Sequence, residues 1–158
     1  MLKYLINFFV RGEIILKLVE CVPNFSEGRN KSVIDAITKE IQHVPDITLL
    51  DVDPGADTNR TVVTFIGSPE QIKIAAFNAI KKAAELIDMA GHKGAHARIG
   101  ATDVCPLIPV REVTMEECVK LANELGKKVG EELHIPVYLY EEAAKSPERK
   151  NLATIRQG

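Results

Sequence analysis

Tryptophan is absent from this chain, and only 5% of its residues are aromatic. Proteins that bind single-stranded nucleic acids stack the bases on aromatic side chains, so this scarcity argues against such a platform. The chain also lacks an excess of positive charge, because its formal net charge is −2. Duplex nucleic acid is attracted to basic surfaces, and the sequence therefore predicts no nucleic-acid partner.

Cysteines and long apolar runs are also scarce. The three cysteines, Cys21, Cys105 and Cys118, are odd in number and form no C-x-x-C pair. This pattern argues against a disulfide framework or a zinc site, and it predicts a reducing compartment such as the cytoplasm. The apolar run LINFFV at residues 5–10 is far too short to cross a bilayer, and no signal-peptide cleavage site follows it. We therefore expect residues 1–16 to be an N-terminal extension, and we expect no membrane partner.

The composition that remains is typical of one globular domain. The chain has 158 residues, of which 46% are hydrophobic and 27% are charged. This length is enough to bury a substantial core. We expect residues 17–158 to form a single domain.

Hydrophobic spacing predicts the element order β-α-β-β-α-β, followed by one more helix and strand. The predicted strands are 17–22, 47–52, 61–66, 104–110 and 136–140, and the predicted helices are 30–43, 68–89 and one that begins at Thr114. Two prolines in the fourth strand, Pro106 and Pro109, predict an edge position, because proline cannot donate to a ladder. Ser68 and Thr114 are each followed three residues later by Gln or Glu, which predicts two capping boxes.

This order predicts an α+β fold of the ferredoxin-like type, βαββαβ with an added αβ. The sheet should be mostly antiparallel, with five or six strands and with the helices on one face. The other face should be covered by another chain or should bind a ligand, because soluble proteins rarely expose large apolar patches.

The segment richest in chemistry is the loop GHKGAHARIG at residues 91–100. Residues 89–102 contain no Asp or Glu, yet they hold Lys93, Arg98 and two histidines, His92 and His96. Glycines let a backbone approach a ligand closely, cations favour an anion, and a histidine can move protons near neutral pH. The alternative is a flexible, solvated basic loop. The two histidines are four residues apart, but no third ligand at metal spacing is evident, and we predict no metal.

Two further segments carry polar side chains. Alternation along a strand places Asp51 and Asp53 on one face, where a carboxylate could orient a histidine or steady a cation. These residues, with Asp57, could equally form a solvated turn. The loop NFSEG begins at Asn24, and here Asn24 and Ser26 could bind a ligand amide or only shape the loop and cap the next helix.

Several long motifs occur together, and in this order they closely resemble the glutamate formiminotransferase family, in its amino-terminal subdomain. They are VECVPNFSEG at 19–28, LLDVD at 49–53, TNRTV at 58–62, HKGAHARIGATDVCPLIPV at 92–110 and PVYLYEEAA at 136–144. The resemblance runs from about residue 18 to the last residues.

The resemblance implies two ferredoxin-like subdomains with a folate in a tunnel between them. It implies transfer of a formimino group from N-formimino-L-glutamate to tetrahydrofolate, a step of histidine degradation, with tetrahydrofolate as co-substrate. The second histidine of the family's H-K-G-x-H motif falls on His96, the catalytic histidine, and a tunnel aspartate thought to assist falls on Asp53. The candidates for binding substrate or folate are Asn24, Ser26, Arg60, Lys93 and Arg98.

The resemblance also bears on partners. The sequence ends at Gly158, before the family's second subdomain, so we expect this chain to form half of the tunnel. A separate chain or a second copy would then supply the other half. One alternative is a folate-binding module without turnover of its own, and another is a ferredoxin-like structural or regulatory domain.

Overall fold

The computed structural model describes residues 16–157 and, for the backbone alone, residues 9–10 and 13–14. Most of the predicted extension at residues 1–16 lies outside the described residues. Its described part contains two short antiparallel strands, β1 (Phe9–Val10) and β2 (Glu13–Ile14). Within the described residues, no helix has the length and apolar character needed to cross a membrane.

One curled, antiparallel sheet forms the centre of the chain. Its strands are β3 (Leu18–Cys21), β4 (Asn24–Phe25), β5 (Ile47–Gly55), β6 (Arg60–Gly67), β7 (Thr102–Val104) and β8 (Leu107–Arg111). Strand β6 pairs with β3, β4 and β5, while β7 pairs with β4 and β8 pairs with β3. The predicted antiparallel pairing of 47–52 with 61–66 is confirmed. The predicted single strand 104–110 is wrong, because the chain leaves the sheet at residues 105–106 and divides into β7 and β8. Both of these strands lie at edges of the sheet, as the prolines predicted.

Helices cover one face of this sheet. They are α1 (Lys31–Gln42), α2 (Pro69–Leu86) and α3 (Met115–Leu133). A short fourth helix, α4 (Leu152–Gln157), follows later in the chain. Alternate residues of β6 point into the core, where Val63 and Phe65 are fully buried among Ile37, Ile41 and Ile72. Each such large side chain contributes about 1.5–3 kcal/mol on burial. The residues between them, Val62, Thr64 and Ile66, lie half-buried on the opposite face, which we call the helix-free face. The α+β class is confirmed.

The predicted last strand at 136–140 is wrong. Among the described residues it pairs with no strand, and the chain instead runs back along α3, where Val137 and Leu139 lie over Gly126. A β-carbon on Gly126 would come within 3.2 Å of Val137 Cγ1. Apolar contact with the helix therefore replaces ladder pairing, which Pro136 could not have supported as a donor.

The strand that was expected to stop at Pro23 continues beyond it. Asn24 and Phe25 pair with β6 and β7, although the sequence suggested a loop there. Proline lacks the N–H and has a fixed φ, but the Pro23 carbonyl still accepts a hydrogen bond from the Val63 N–H at 3.0 Å. The result is a bend that directs the following residues toward the end of β6.

Candidate functional site

The turn at residues 56–59, between β5 and β6, brings together all three segments that the sequence singled out. The residue of this turn that links the segments is Asn59, which is 9% exposed and has a left-handed φ of 47°. Asn59 Oδ1 accepts from the Gly28 N–H at 2.9 Å, and Asn59 Nδ2 donates to the Lys93 carbonyl at 3.0 Å. One side chain therefore joins the 24–28 segment to the 91–100 loop.

Arg98 provides the second connection between the loop and this turn. Its Nη2 donates to the Thr58 carbonyl at 2.7 Å and its Nη1 donates to the Asn59 carbonyl at 3.0 Å. Its Nε and Nη2 both donate to the His96 carbonyl, at 2.9 and 2.7 Å. Nη1 also lies 2.9 Å from Nε2 of His92. The guanidinium therefore bridges the turn and the backbone of the predicted catalytic histidine.

Further hydrogen bonds hold the end of the loop. The Ser26 hydroxyl donates to the Gly100 carbonyl at 2.7 Å, and the Ile99 N–H donates to Asp103 Oδ1 at 3.0 Å. The side chain of Asp103 is fully buried and also forms an ion pair with Arg156 of α4. These bonds favour an ordered loop over the flexible alternative, although the loop has no regular secondary structure.

Gly94 allows the loop to lie directly on the turn. A β-carbon at this position would be 2.2 Å from the Thr58 carbonyl oxygen and 2.6 Å from Arg98 Nη2. Contacts of that length are forbidden by van der Waals repulsion, so only glycine fits without displacing the backbone. Next to it, the Ala95 N–H donates to the Asp57 carbonyl at 3.3 Å.

Three of the predicted site residues share the helix-free face near this turn. Asp53 of β5 and Asn24 of β4 both pair with Val62 of β6. Paired residues have side chains on the same face, so Asp53 and Asn24 point to the same side as Val62. Arg60 lies on the same face, and its Nε donates to Asn24 Oδ1 at 2.6 Å. Asn24 is 5% exposed, whereas Asp53 is exposed to solvent.

His96 is half-buried, and Lys93 is exposed. Within the described part of the chain, Nδ1 of His96 is buried and has no hydrogen-bond partner. A buried ring nitrogen without a partner costs free energy, and such atoms in native proteins call for an explanation. The hydrogen bonding of this imidazole is therefore incomplete in the described chain.

The surroundings of Arg98 are electropositive. Burial lowers the pKa of its guanidinium, while the nearby Asp103 carboxylate acts in the opposite direction. Two neighbouring cations, Arg60 and Arg29, lower that pKa further. A concentration of positive charge beside glycine-rich backbone favours an anionic ligand.

A cavity of about 480 Å³ lies on the helical side, between α3 and the segment 135–143. Tyr140 and Cys105 line it, whereas His96 and Asp53 do not. Burial, followed by the nearby thiols of Cys105 and Cys21, raises the pKa of Tyr140 to about 12. The cavity reaches the end of the 91–100 loop, because Ile99, Gly100 and Asp103 also line it.

Sequence reasoning missed Asn59 and Asp103 as site residues. Both fall inside motifs that carried the family resemblance, TNRTV and the run at 92–110. The available signal was a polar residue inside a long family motif, but that signal does not say what the side chain contacts. Asn59 and Asp103 act through hydrogen bonds to backbone groups of the 91–100 loop.

Comparison with known proteins identifies relatives of this chain. Residues 18–158 match the family described as formiminotransferase domain, N-terminal subdomain. The chain is 59% identical over 142 residues to formimidoyltransferase-cyclodeaminase of Dictyostelium discoideum, covering 90% of this chain and 26% of that protein. It is 52% identical over 141 residues to glutamate formimidoyltransferase of Thermoplasma acidophilum, covering 89% of this chain and 46% of that protein.

A third relative is glutamate formimidoyltransferase of Streptococcus pyogenes, 47% identical over 142 residues, which is 90% of this chain and 48% of that protein. The chain thus spans between a quarter and a half of the length of these relatives.

Proposed function

Because this chain belongs to the family of formiminotransferase amino-terminal subdomains, we propose that it forms one wall of a folate site for formimino transfer. The donor is N-formimino-L-glutamate, the acceptor is tetrahydrofolate, and the reaction belongs to histidine degradation. The observation that carries the proposal is that His96, Asn24 and Asp53 come from separate family motifs, and all three belong to segments that meet at one turn.

The chemistry requires an acid. N5 of tetrahydrofolate adds to the amidine carbon and gives up its proton, and the π electrons of the C=N bond move to the amidine nitrogen. The tetrahedral intermediate then collapses, the bond to the glutamate nitrogen breaks, and that nitrogen must be protonated to leave as an amine. His96 is our candidate for donating this proton, which is the usual role of a histidine near neutral pH. Asp53 would orient His96 or stabilise the cationic amidinium.

The binding roles follow from charge and position. Lys93 and Arg60 are candidates for the substrate carboxylates, since cations pair with them through charge-assisted hydrogen bonds. The sequence also predicted Arg98 for this role, but each of its nitrogens already donates to a backbone carbonyl. Asn24 and Ser26 are candidates for contacts with folate, although the Ser26 hydroxyl already donates to the Gly100 carbonyl. These assignments stay predictions.

We also propose that the helix-free face is where a second subdomain packs, to complete the tunnel. The face is partly apolar, because Ile108 is 39% exposed and Val110 is 51% exposed beside the half-buried Ile66. Two relatives are about twice as long as the region that matches this chain, so each has room for a second subdomain of similar size. The unpartnered Nδ1 of His96 is also consistent with a site that gains a contact on assembly.

The strand pairing supports a ferredoxin-like βαββαβ arrangement for residues 18–111. The three free cysteines support a reducing compartment, and a cytoplasmic location stays a prediction. A reaction without a metal also stays a prediction.

The second candidate function is a folate-binding module without turnover of its own, the alternative that the sequence left open. It differs from the first in one respect, because it predicts folate binding by the assembled protein and no formimino transfer.

The deciding experiment uses the assembled protein, with whatever chain or segment completes the site. We expect His96→Ala to lower formimino transfer by about 10² to 10⁴, the usual effect of losing an acid–base group. Folate affinity should change far less, because proton transfer belongs to the transition state. The matched control is His43→Ala, an exposed histidine at the end of α1, which should leave turnover unchanged.

Wild-type turnover in the His96 variant would remove the catalytic assignment. Folate binding without turnover by the wild type would establish the second candidate. No folate binding at all would leave only the family's fold.

A further inference from the structure

Arg98 has little hydrogen-bonding capacity left for a ligand. Each of its nitrogens already donates, to the carbonyls of His96, Thr58 and Asn59. Nη1 also lies against the His92 ring. Guanidinium is planar and its donors point in fixed directions, so a carboxylate could bind it in the usual two-pronged manner only by displacing these acceptors.

The acceptors belong to two different segments. Thr58 and Asn59 lie in the β5–β6 turn, whereas His92 and His96 lie in the loop. Nε and Nη2 of the guanidinium both donate to the His96 carbonyl, at 2.9 and 2.7 Å. These two hydrogen bonds fix the His96 peptide against the turn. Gly94 lies directly against the same guanidinium, because a β-carbon at this position would be 2.6 Å from Nη2.

We propose that Arg98 is a positioning residue, which holds the His96 peptide on the β5–β6 turn so that the imidazole stays aligned with the reacting amidine. This inference rests on the proposed function, in which His96 donates the proton. Proton donation depends steeply on geometry, and a misplacement of about 1 Å can lower a rate about 10²-fold. The competing assignment, in which Arg98 binds a substrate carboxylate, makes the opposite kinetic prediction.

The test is Arg98→Lys in the assembled protein. Lysine keeps the positive charge but cannot donate in a fixed fork to carbonyls of two segments. We expect kcat to fall about 10- to 100-fold, while KM for formiminoglutamate stays within about threefold because ground-state binding is unaffected. The matched control is Arg29→Lys. Nε of Arg29 donates to the Ala56 carbonyl of the same turn at 2.8 Å and, among the described residues, Arg29 forms no hydrogen bond to the loop. The control should change neither constant.

A second readout does not depend on turnover. In the protein without substrates, Arg98→Lys should speed amide hydrogen exchange at Ala95, whose N–H donates to the Asp57 carbonyl. We expect acceleration of at least about tenfold, because loops open locally when their anchors are lost. Arg29→Lys should leave this exchange unchanged. If Arg98→Lys does not fold, Gly94→Ala disturbs the same contact from the loop side and should give the same loss of kcat.

A KM increase of more than about tenfold with unchanged kcat would overturn the inference in favour of carboxylate binding. Unchanged exchange at Ala95 would overturn it as well. If the wild-type assembly shows no formimino transfer, the proposed function fails, and the exchange experiment alone then decides whether Arg98 holds the loop.

Discussion

At the scale of single residues, Asn59 links segments that lie far apart in the chain. Its side chain binds groups 31 and 34 residues away, at Gly28 and Lys93. Asn59 also adopts a left-handed φ of 47°, which asparagine tolerates better than most residues. Both properties make this position hard to replace.

We expect Asn59→Ala to lower the free energy of unfolding by roughly 2–4 kcal/mol, because it leaves buried backbone groups unpaired and strains the turn. Urea denaturation measures this change. Asn78→Ala, at a half-buried position in α2, is the control and should cost less than about 1 kcal/mol. Equal losses at the two sites would mean that the bonds of Asn59 contribute nothing special.

Tyr140 makes a prediction about pH. Its pKa is raised from 10.0 to about 12, first by burial. Its phenol is protonated in both folded and unfolded chains below pH 10, so its contribution to stability is complete there. Between pH 10 and about 12 the unfolded chain loses this proton first, and the contribution is lost as the pH rises.

The comparison that isolates this effect is Tyr140→Phe. Between pH 10 and about 12, the free energy of unfolding of the variant should fall less than that of the wild type. Urea denaturation at each pH measures this difference. Tyr138→Phe, at a position that is 45% exposed, is the control and should follow the wild type. If the Tyr140 variant declined in parallel with the wild type, the raised pKa would be ruled out.

The sequence could single out the three segments of the site, because each combines unusual residue types with family motifs. It could not predict how they join. The conformation of a turn residue such as Asn59 depends on groups that reach it only after the sheet has formed. Hydrogen bonds to backbone, such as those of Arg98 and Asp103, leave no periodic pattern in a sequence.

At the scale of elements, helices were predictable because their apolar spacing extends over many residues. The prediction of a strand at 136–140 was wrong because the apolar side chains of this segment pack on helix α3. A high β propensity mainly reflects such side-chain packing, which a helix can provide as well as a sheet. Strand β4 was not predicted because proline ordinarily ends a strand, yet the φ and missing N–H of Pro23 are compatible with the bend between β3 and β4. Local chemistry thus predicted the helices and the β5–β6 hairpin better than it predicted the short strands.

The two helix starts give a prediction at this scale. Thr114 forms the capping box, in which its hydroxyl accepts from the Glu117 N–H at 3.2 Å and its own N–H donates to Glu117 Oε2 at 2.8 Å. Within the described chain, Ser68 has the same sequence signature but no side-chain cap. Thr114→Ala should cost about 1 kcal/mol of unfolding free energy in urea denaturation, and Ser68→Ala less than about 0.5 kcal/mol. A larger loss at Ser68 would contradict this.

At the scale of the whole molecule, our proposal that a second subdomain packs on the helix-free face can be tested by substitution. Ile108 and Ile66 both pair with Glu20 and point outward from that face. We expect Ile108→Lys to weaken binding of the second subdomain at least about tenfold, because a charge replaces apolar contact at the centre of an interface. Its effect on the unfolding free energy of this chain should stay within about 0.5 kcal/mol.

Sedimentation of this chain, alone and mixed with the second subdomain, measures that binding. The control is Ile74→Lys, a 43% exposed isoleucine on α2, on the helical side. It should leave association unchanged. If the wild type stays monomeric in both samples at tens of micromolar, or if both variants lose binding equally, the helix-free face is not the interface.

The β5–β6 turn has a consequence for how this chain can vary. Surface hairpin turns ordinarily accept inserted residues or an epitope tag, because little depends on their backbone. In this turn the carbonyls of Ala56, Asp57 and Thr58 each accept a hydrogen bond, and two of the donors belong to the loop that carries His96. An added residue would shift those carbonyls relative to the loop. The length of this hairpin is therefore fixed by the loop beside it, and it is a poor site for insertions.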